Sequence, residues 1–434
     1  TVIQELEGIS EGGIDQDQGH SNPSPLQKIP RSILHVLNIK TIPADIFYRL
    51  QDLGVDVNQG LRTGCNPLFY VKRLQNTELT KILQDENYNE TVSILDDPPR
   101  NPEMYRVIMD RLSKVGAIVP VEAPANCPSS VVVRLSSEFG NRLAVLPKAC
   151  LKPVLRHQNI LTHISLTNID QLTDYALVIG TMATPDDYKA LKKIYPKHWM
   201  DVWIKRDRLA VMPSSLSEYI KLGSETYIER NGKTVLIPML SAVAPNSRRP
   251  SDSTSQLFID DTFAPRVPAW WYTLPIQPRH YGNIVIPRVN SKTVLSYLNL
   301  CNEQVLIDAN FSTLSMRNCS IPVEALYAML NSVWVNAILE IIATPMGGGS
   351  LKVEASHLRV LPIPKLDEPT LLKLRFLGIE LIKTSKNNRS ETLDKIDEAV
   401  TTWIADRLEI EQDMLICRLQ ELITEMRMSR TRTR

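Results

Sequence analysis

The spacing of apolar positions changes character twice along this chain. Over 42–53, Ile46, Phe47, Leu50 and Leu53 recur at helical intervals, which predicts a helix that Gly54 stops. From about 55 to 320 the apolar residues come in short runs. Val131-Val132-Val133, Val235-Leu236-Ile237-Pro238 and Ile284-Val285-Ile286-Pro287 are flanked by Gly, Pro or Asn and read as strands between turns, with few helices among them. Alternating strand and helix blocks are missing, so a doubly wound sheet is not expected. Over 325–342 the pattern turns helical again, with Leu326, Met329, Leu330, Val333, Trp334, Ala337, Ile338 and Ile341 on one broad face. A strand at 350–353, a short helix at 355–358 and the stop Leu361-Pro362-Ile363-Pro364 follow. Beyond Pro369 two helices are predicted, at about 370–385 and 390–428. The second carries Leu393, Ile396, Val400, Ile404, Leu408, Leu415, Leu419, Leu422 and Met426, the stripe of a helix packed on a partner helix.

Together these regimes predict an α+β chain. An acidic linker over 1–41 precedes an irregular, mixed, β-rich domain over 42–365. A helical region with a basic tail fills 366–434. The first forty residues lack a sustained apolar period, and Thr1 stands inside this linker-like stretch, as expected of the remainder of something longer. No apolar stretch reaches the ~20 residues of a membrane span, and the acidic N-terminus does not resemble a secretory signal. A cytoplasmic location and no membrane partner are expected.

Composition narrows the chemistry. Among 434 residues, 43% are hydrophobic and 22% charged, which excludes collagen-like and wholly disordered chains. The six cysteines, Cys65, Cys127, Cys150, Cys301, Cys319 and Cys417, show no CxxC or CxH spacing, so reduced thiols are expected rather than a zinc site or a disulfide framework. The seven histidines form no HxH or HxxxH pair, and no GxSxG elbow exists. Gly347-Gly348-Gly349 follows a helix where a phosphate loop should precede one, so it reads as a stop and a turn allowing close backbone approach, to a neighbouring sheet or to a ligand. Asp97-Pro98-Pro99-Arg100 is similar to the [DN]-P-P-aromatic tetrapeptide of amino methyltransferases, but Arg100 occupies the aromatic position and a surface turn is the reading.

Binding features are better represented. Net charge is only +1, yet 1–20 carries five acids and no Lys or Arg, and 427–434 carries four arginines and no acid. Between Lys192 and Arg208, six Lys or Arg, including Lys205, Arg206 and Arg208, are interleaved with Tyr195, Trp199 and Trp203. Cations neutralise phosphates while aromatics stack, as a DNA surface needs; a solvated basic face over a core remains the alternative. Arg266, Trp270, Trp271, Tyr272, Arg279, His280 and Arg288 repeat the mixture with the same alternative.

The segment Gly60-Leu61-Arg62-Thr63-Gly64-Cys65-Asn66-Pro67-Leu68-Phe69 resembles the G-x-x-T-G-x-N-x-x-F element that opens the target-recognition region of TaqI-like N6-adenine DNA methyltransferases, including fused type IIG restriction-modification enzymes. Leu151-Lys152-Pro153-Val154-Leu155-Arg156 is similar to that family's l-K-P-x-l-R element, with His157 and Asn159 in place of its Gly and Asp. Trp271-Tyr272-Thr273-Leu274 with 284–288, then Leu330-Asn331-Ser332, Gly347-Gly348-Gly349 and Leu361-Pro362-Ile363-Pro364 follow in the family's order. The cofactor-binding domain and the N-P-P-[YF] motif that precede this region in the family are not in this chain. The resemblance therefore implies recognition of double-stranded DNA here, with S-adenosylmethionine and methyl transfer belonging to a catalytic domain or subunit elsewhere.

Site roles follow from both arguments. Arg62, Thr63 and Asn66 lie in a glycine-flanked loop suited to a duplex backbone or base edge, or to an ordinary turn. Lys152 and Arg156 are candidate phosphate contacts. The C-terminal helices resemble spacer helices that dock a methyltransferase or nuclease subunit; a helical hairpin on the same domain is the alternative. On the docking reading, a chain ending near Lys365 should retain its DNA preference. Rival functions are a protein-binding scaffold using the C-terminal helix and an enzyme of unrecognised type.

Overall fold

Two mixed sheets, between which the chain passes repeatedly, organise this α+β chain. The computed structural model describes residues 46–84, 88–161, 172–179, 210–240, 276–301, 304–316, 318–384 and 389–432, with short pieces at 165–166, 169, 182–183, 272 and 274. The first sheet runs Asp56–Gln59, Phe311–Ser315, Ile284–Pro287, Tyr297–Asn299, Ser165–Leu166. The second runs Leu306–Ile307, Leu151–Leu155, Asp174–Leu177, Tyr70–Arg73, Ser130–Arg134, Leu143–Pro147. Each has one parallel pair at an edge, Ser165–Leu166 on Tyr297–Asn299 and Leu306–Ile307 on Leu151–Leu155. The expected strands around Val131, Val235, Ile284 and Leu351 are present.

The region over 55–320 is more helical than its short apolar runs suggest. Helix α1 (Asn66–Phe69), with Pro67 in its first turn, feeds the strand Tyr70–Arg73. Helices α2 (Asn76–Leu83), α3 (Tyr88–Asp96) and α4 (Pro102–Lys114) build a small separate core with Val132 and Val145. In α4 the signal is present: Tyr105, Ile108, Met109 and Leu112 keep helical spacing, and Asn101 caps the first turn by accepting from the Met104 N–H. Helix α5 (Ser214–Glu225) packs on the second sheet.

The helix predicted over 325–342 is two helices, α6 (Val323–Leu330) and α7 (Val333–Ile342), meeting at a 61° bend. Polar residues make the bend. Asn331 receives the Ser296 N–H and donates to the Ser296 hydroxyl and the Tyr327 carbonyl, while Ser332 caps α7 through the Val335 N–H. Asn331 and Ser332 are themselves buried, so each bond is made away from water. Among the described residues no single helix is long and apolar enough to cross a membrane.

After α8 (Ala355–Arg359) come three helices where two are predicted: α9 (Glu368–Lys383), α10 (Arg389–Leu408) and α11 (Gln412–Arg432). Glu409, at φ +53°, ends α10 with a left-handed residue and divides the expected second helix. The apolar stripe finds its partner within the chain. Leu374, Leu381, Ile396, Val400, Ile404, Leu415 and Leu419 enter the same core as the first sheet, α6 and α7. At Gly378 an added Cβ would stand 2.2 Å from the Glu324 carbonyl oxygen, so α9 touches α6 backbone to backbone. The stretch over 366–434 is thus part of the first core, and no packing boundary falls at 365.

The start also differs. Of the helix predicted over 42–53, residues 42–45 lie outside the described residues, Phe47–Tyr48 pairs as a strand with Ile363–Pro364, and Leu50–Leu53 forms a 3-10 turn. Gly54 stops it at φ +75°, pressed against the Asn318 carbonyl oxygen where a Cβ would stand at 2.3 Å.

Candidate functional site

Two of the crossings between the sheets lie side by side. Leaving Asp56–Gln59, the chain crosses through 60–66 to reach Tyr70–Arg73. Returning from Leu306–Ile307, it crosses through 308–310 to reach Phe311–Ser315. Leu61 donates its N–H to the Ile307 carbonyl at 2.6 Å and accepts from the Ala309 N–H at 2.9 Å, while Gly60 donates to the Phe311 carbonyl. An added Cβ at Gly60 would lie 2.2 Å from the Asp308 carbonyl oxygen, so glycine is what permits this approach. Gly64 takes φ +75°, which turns the loop back toward α1.

The loop divides its residues by role. Thr63 is buried and donates its hydroxyl proton to the Asn66 side-chain oxygen at 2.7 Å, so Thr63 sets the Asn66 rotamer. Asn66 is exposed, and its amide nitrogen makes no hydrogen bond among the described residues. Arg62 is exposed and makes no hydrogen bond or ion pair among the described residues. Cys65 is buried, and burial pushes its thiol up to about 11, which removes it as a nucleophile at neutral pH.

A scaffold of paired polar groups supports the loop. The Tyr70 hydroxyl donates to Asp308 at 2.5 Å, and Asp308 also accepts the Asn310 N–H. Burial raises the Asp308 carboxyl despite these donors, and burial together with Asp308 raises the Tyr70 phenol. Arg156 stacks over the Tyr70 ring, 4.1 Å from its centroid, and pairs with buried Asp174 at 3.1 Å. It is therefore held by protein groups and acts first as a strut. Arg288 is likewise committed: it donates to the Ala309 carbonyl and to Glu354 at 2.6 Å, bracing the second crossing. Lys352 joins Glu354 at 2.9 Å, and these two cations hold the Glu354 carboxyl below its usual range.

Two open clefts flank the loop and share Asn66, Pro67 and Glu138. One, of about 1040 Å³, lies between 61–67, 308–310 and the exposed hairpin that contains Tyr227–Arg230. Arg62, Arg230, Glu138 and Glu229 bring both signs of charge to its wall. The other, of about 410 Å³, is lined by Lys72, Arg134 and Arg156 with Asp174 and Glu138. Lys72 lies directly between Arg134 and Asp174 across three strands. Burial pushes the Glu138 carboxyl up, but hydrogen bonds, among them one from the Ser137 hydroxyl, outweigh it and hold the group below its usual value.

The structure brings Arg62, Thr63, Asn66 and Arg156 together and adds Lys72, Arg134, Glu229 and Arg230, which no motif marks. Strand register gathers Lys72 and Arg134, and the separate hairpin brings Glu229 and Arg230, neither of which is visible in a linear reading. Lys152 is exposed on the strand beside Asp174–Leu177, in register with Ala176, and lines neither cleft. Arg279 is exposed; its neighbour His280 is buried, kept neutral with its pKa lowered to about 4, and accepts the Gln277 N–H, so it is a structural cap. Lys205, Arg206, Arg208 and Trp271 lie outside the described residues, as does the whole 192–208 basic segment.

Other candidates resolve into packing. Pro98–Arg100 is a 3-10 turn whose Arg100 points back to Ser93. Gly347 to Gly349 form the tip between Thr344–Pro345 and Leu351–Lys352, with Gly349 against Thr431 of α11. The basic C-terminus is partly consumed: Arg427 and Arg430 both reach buried Glu340 at 3.2 Å. Among the described residues no cluster of three or more His, Cys, Asp or Glu could hold a metal ion. The chain matches no protein-family model and no curated protein.

Proposed function

We propose that this chain is the DNA target-recognition part of an adenine-N6 DNA methyltransferase or restriction-modification system. The observation that supports this best is the 60–66 loop, held rigidly at the seam of two sheets while Arg62 and Asn66 face open clefts. Base edges offer donors and acceptors together, so a reader needs both kinds of partner on its wall, as Arg62 and Arg230 with Glu138 and Glu229 provide. Phosphates need cations, and Lys72 and Lys152 supply them on the second sheet, where Arg134 is shared with Glu78 at 3.4 Å. Methylating an adenine requires flipping it from the stack. Gripping the duplex around that base is the role assigned here, while S-adenosylmethionine belongs to a catalytic domain or subunit.

The C-terminal helices keep a docking role in this reading, for the methyltransferase part and for a nuclease where one is present. Leu372 and Phe376 support it: they lie four apart on α9, 50% and 65% exposed. The decisive test is binding of the full chain to labelled random-sequence duplex across a salt series. Salt-sensitive binding with a negative log–log slope supports the proposal, and salt-independent or absent binding defeats it.

A further inference from the structure

We infer that the 227–236 hairpin is a base-reading ribbon for the major groove of duplex DNA, an inference that rests on the function proposed above. Among the described residues its two strands, Tyr227–Arg230 and Lys233–Leu236, pair only with each other. Asn231 and Gly232 between them have φ +51° and +72°, the left-handed pair of a tight two-residue turn whose twist matches the strands. The ribbon is therefore stiff at its tip. Its base is anchored: Ile228 and Val235 pack on the second core, and the Ile237 N–H reaches the Thr226 carbonyl. Arg230 ties the far half to the 60–66 loop by donating to the Gly64 carbonyl at 2.8 Å.

Everything beyond that base is exposed, Glu229 through Thr234. An isolated two-stranded hairpin is marginal in water, so the anchoring at its base and through Arg230 is what holds these six exposed residues out. Beyond the base each strand adds two residues, about 6.6 Å at ~3.3 Å each, before the two-residue turn, against a major groove about 8.5 Å deep and 12 Å wide that admits a two-stranded ribbon. The chemistry fits the groove floor as well. Glu229 lines the larger cleft with Arg62 and has no ion-pair partner among the described residues. Beside phosphates such a carboxylate would only repel; against a base edge it accepts from the cytosine amino group. Lys233, at the tip, is placed for a phosphate.

The test selects bound sequences from a randomised duplex pool with the full chain and with Glu229→Gln and Lys233→Ala. A glutamine pairs with adenine where a glutamate accepts from cytosine. Glu229→Gln should therefore shift preference at one position from C toward A by at least about fivefold, and leave the salt slope unchanged. Lys233→Ala should weaken all sequences alike and flatten the slope by ~0.9. Both residues are exposed, and an unchanged melting temperature verifies the fold. If the parent selects a site and Glu229→Gln keeps its ranking, the ribbon assignment is overturned while the proposed function stands. If the parent shows no sequence preference, both fall.

Discussion

The Tyr70 hydroxyl lies 2.5 Å from a carboxylate oxygen of Asp308, 238 residues further along the chain. One residue begins the strand that follows the first crossing, and the other opens the second crossing, so this hydrogen bond fastens the two crossings beneath the clefts.

Tyr70→Phe removes that donor and leaves a buried carboxylate oxygen short of a partner. The expected loss is about 1–3 kcal/mol of stability. Chemical denaturation of Tyr70→Phe, Asp308→Asn and the double variant measures it. The two single losses should not add, since the residues share one bond.

Two glycine substitutions should separate a required glycine from a tolerated one. Gly60→Ala drives a Cβ into the Asp308 carbonyl, whereas Gly347→Ala meets nothing within 4 Å. Gly60→Ala is expected to lower the melting temperature sharply or to prevent folding. Gly347→Ala should stay within ~0.5 kcal/mol of the parent. Equal effects would mean that the first crossing is not held as described.

Much of this was legible in the sequence, and the limits have physical causes. Local signals survive: Gly54 and the apolar runs at Val131 and Ile284 act over a few residues. The bend at Asn331 was not legible, because its cause is Ser296, a residue on another element that receives the Asn331 side chain. The stripe from Ile396 to Leu419 correctly announced a helical partner but could not say whether that partner lay in the same chain. At the site, Arg62, Thr63 and Asn66 stood out as a loop motif. Lys72, Arg134 and Glu229 did not, since only strand register and a distant hairpin bring them to the same clefts. Arg156 and Arg288 looked like free cations in one dimension; Asp174 and Glu354, which hold them, are remote in sequence.

Asp397 carries a pH dependence. Its carboxylate receives the Val333 N–H at the start of α7, and burial pushes its pKa up to about 7. An ordinary aspartate in the unfolded chain titrates near ~3.9. Between these values the native state keeps a proton that the unfolded state has lost. This group's stabilising contribution is therefore full below about pH 4 and is lost as pH rises through about 7. Asp397→Asn removes the proton exchange. The difference in unfolding free energy between parent and variant, followed from pH 4.5 to 8, should change in that direction, and a pH-independent difference would contradict it.

A chain ending at Lys365 should not fold. It lacks Leu374, Leu381, Ile396, Val400, Ile404 and Leu415, all buried in the core shared with α6 and α7. At ~1.5–3 kcal/mol for each buried side chain, their loss rivals the ~5–15 kcal/mol that holds a typical domain together. Limited proteolysis and near-UV circular dichroism of the truncated chain report this; a protease-resistant core with native near-UV bands would show that the first sheet stands alone.

The central claim is that the 60–66 loop reads DNA sequence. Selection from a randomised duplex pool with the full chain and with Arg62→Ala tests it most directly. Arg62 is exposed and unpaired among the described residues, so its removal should leave the fold intact. A base contact by arginine is worth about 1–3 kcal/mol of discrimination. The account predicts that the parent enriches a defined site and that Arg62→Ala relaxes the preference at one position by at least about fivefold. An Arg62→Ala chain with the parental melting temperature and the parental ranking of sequences would contradict it.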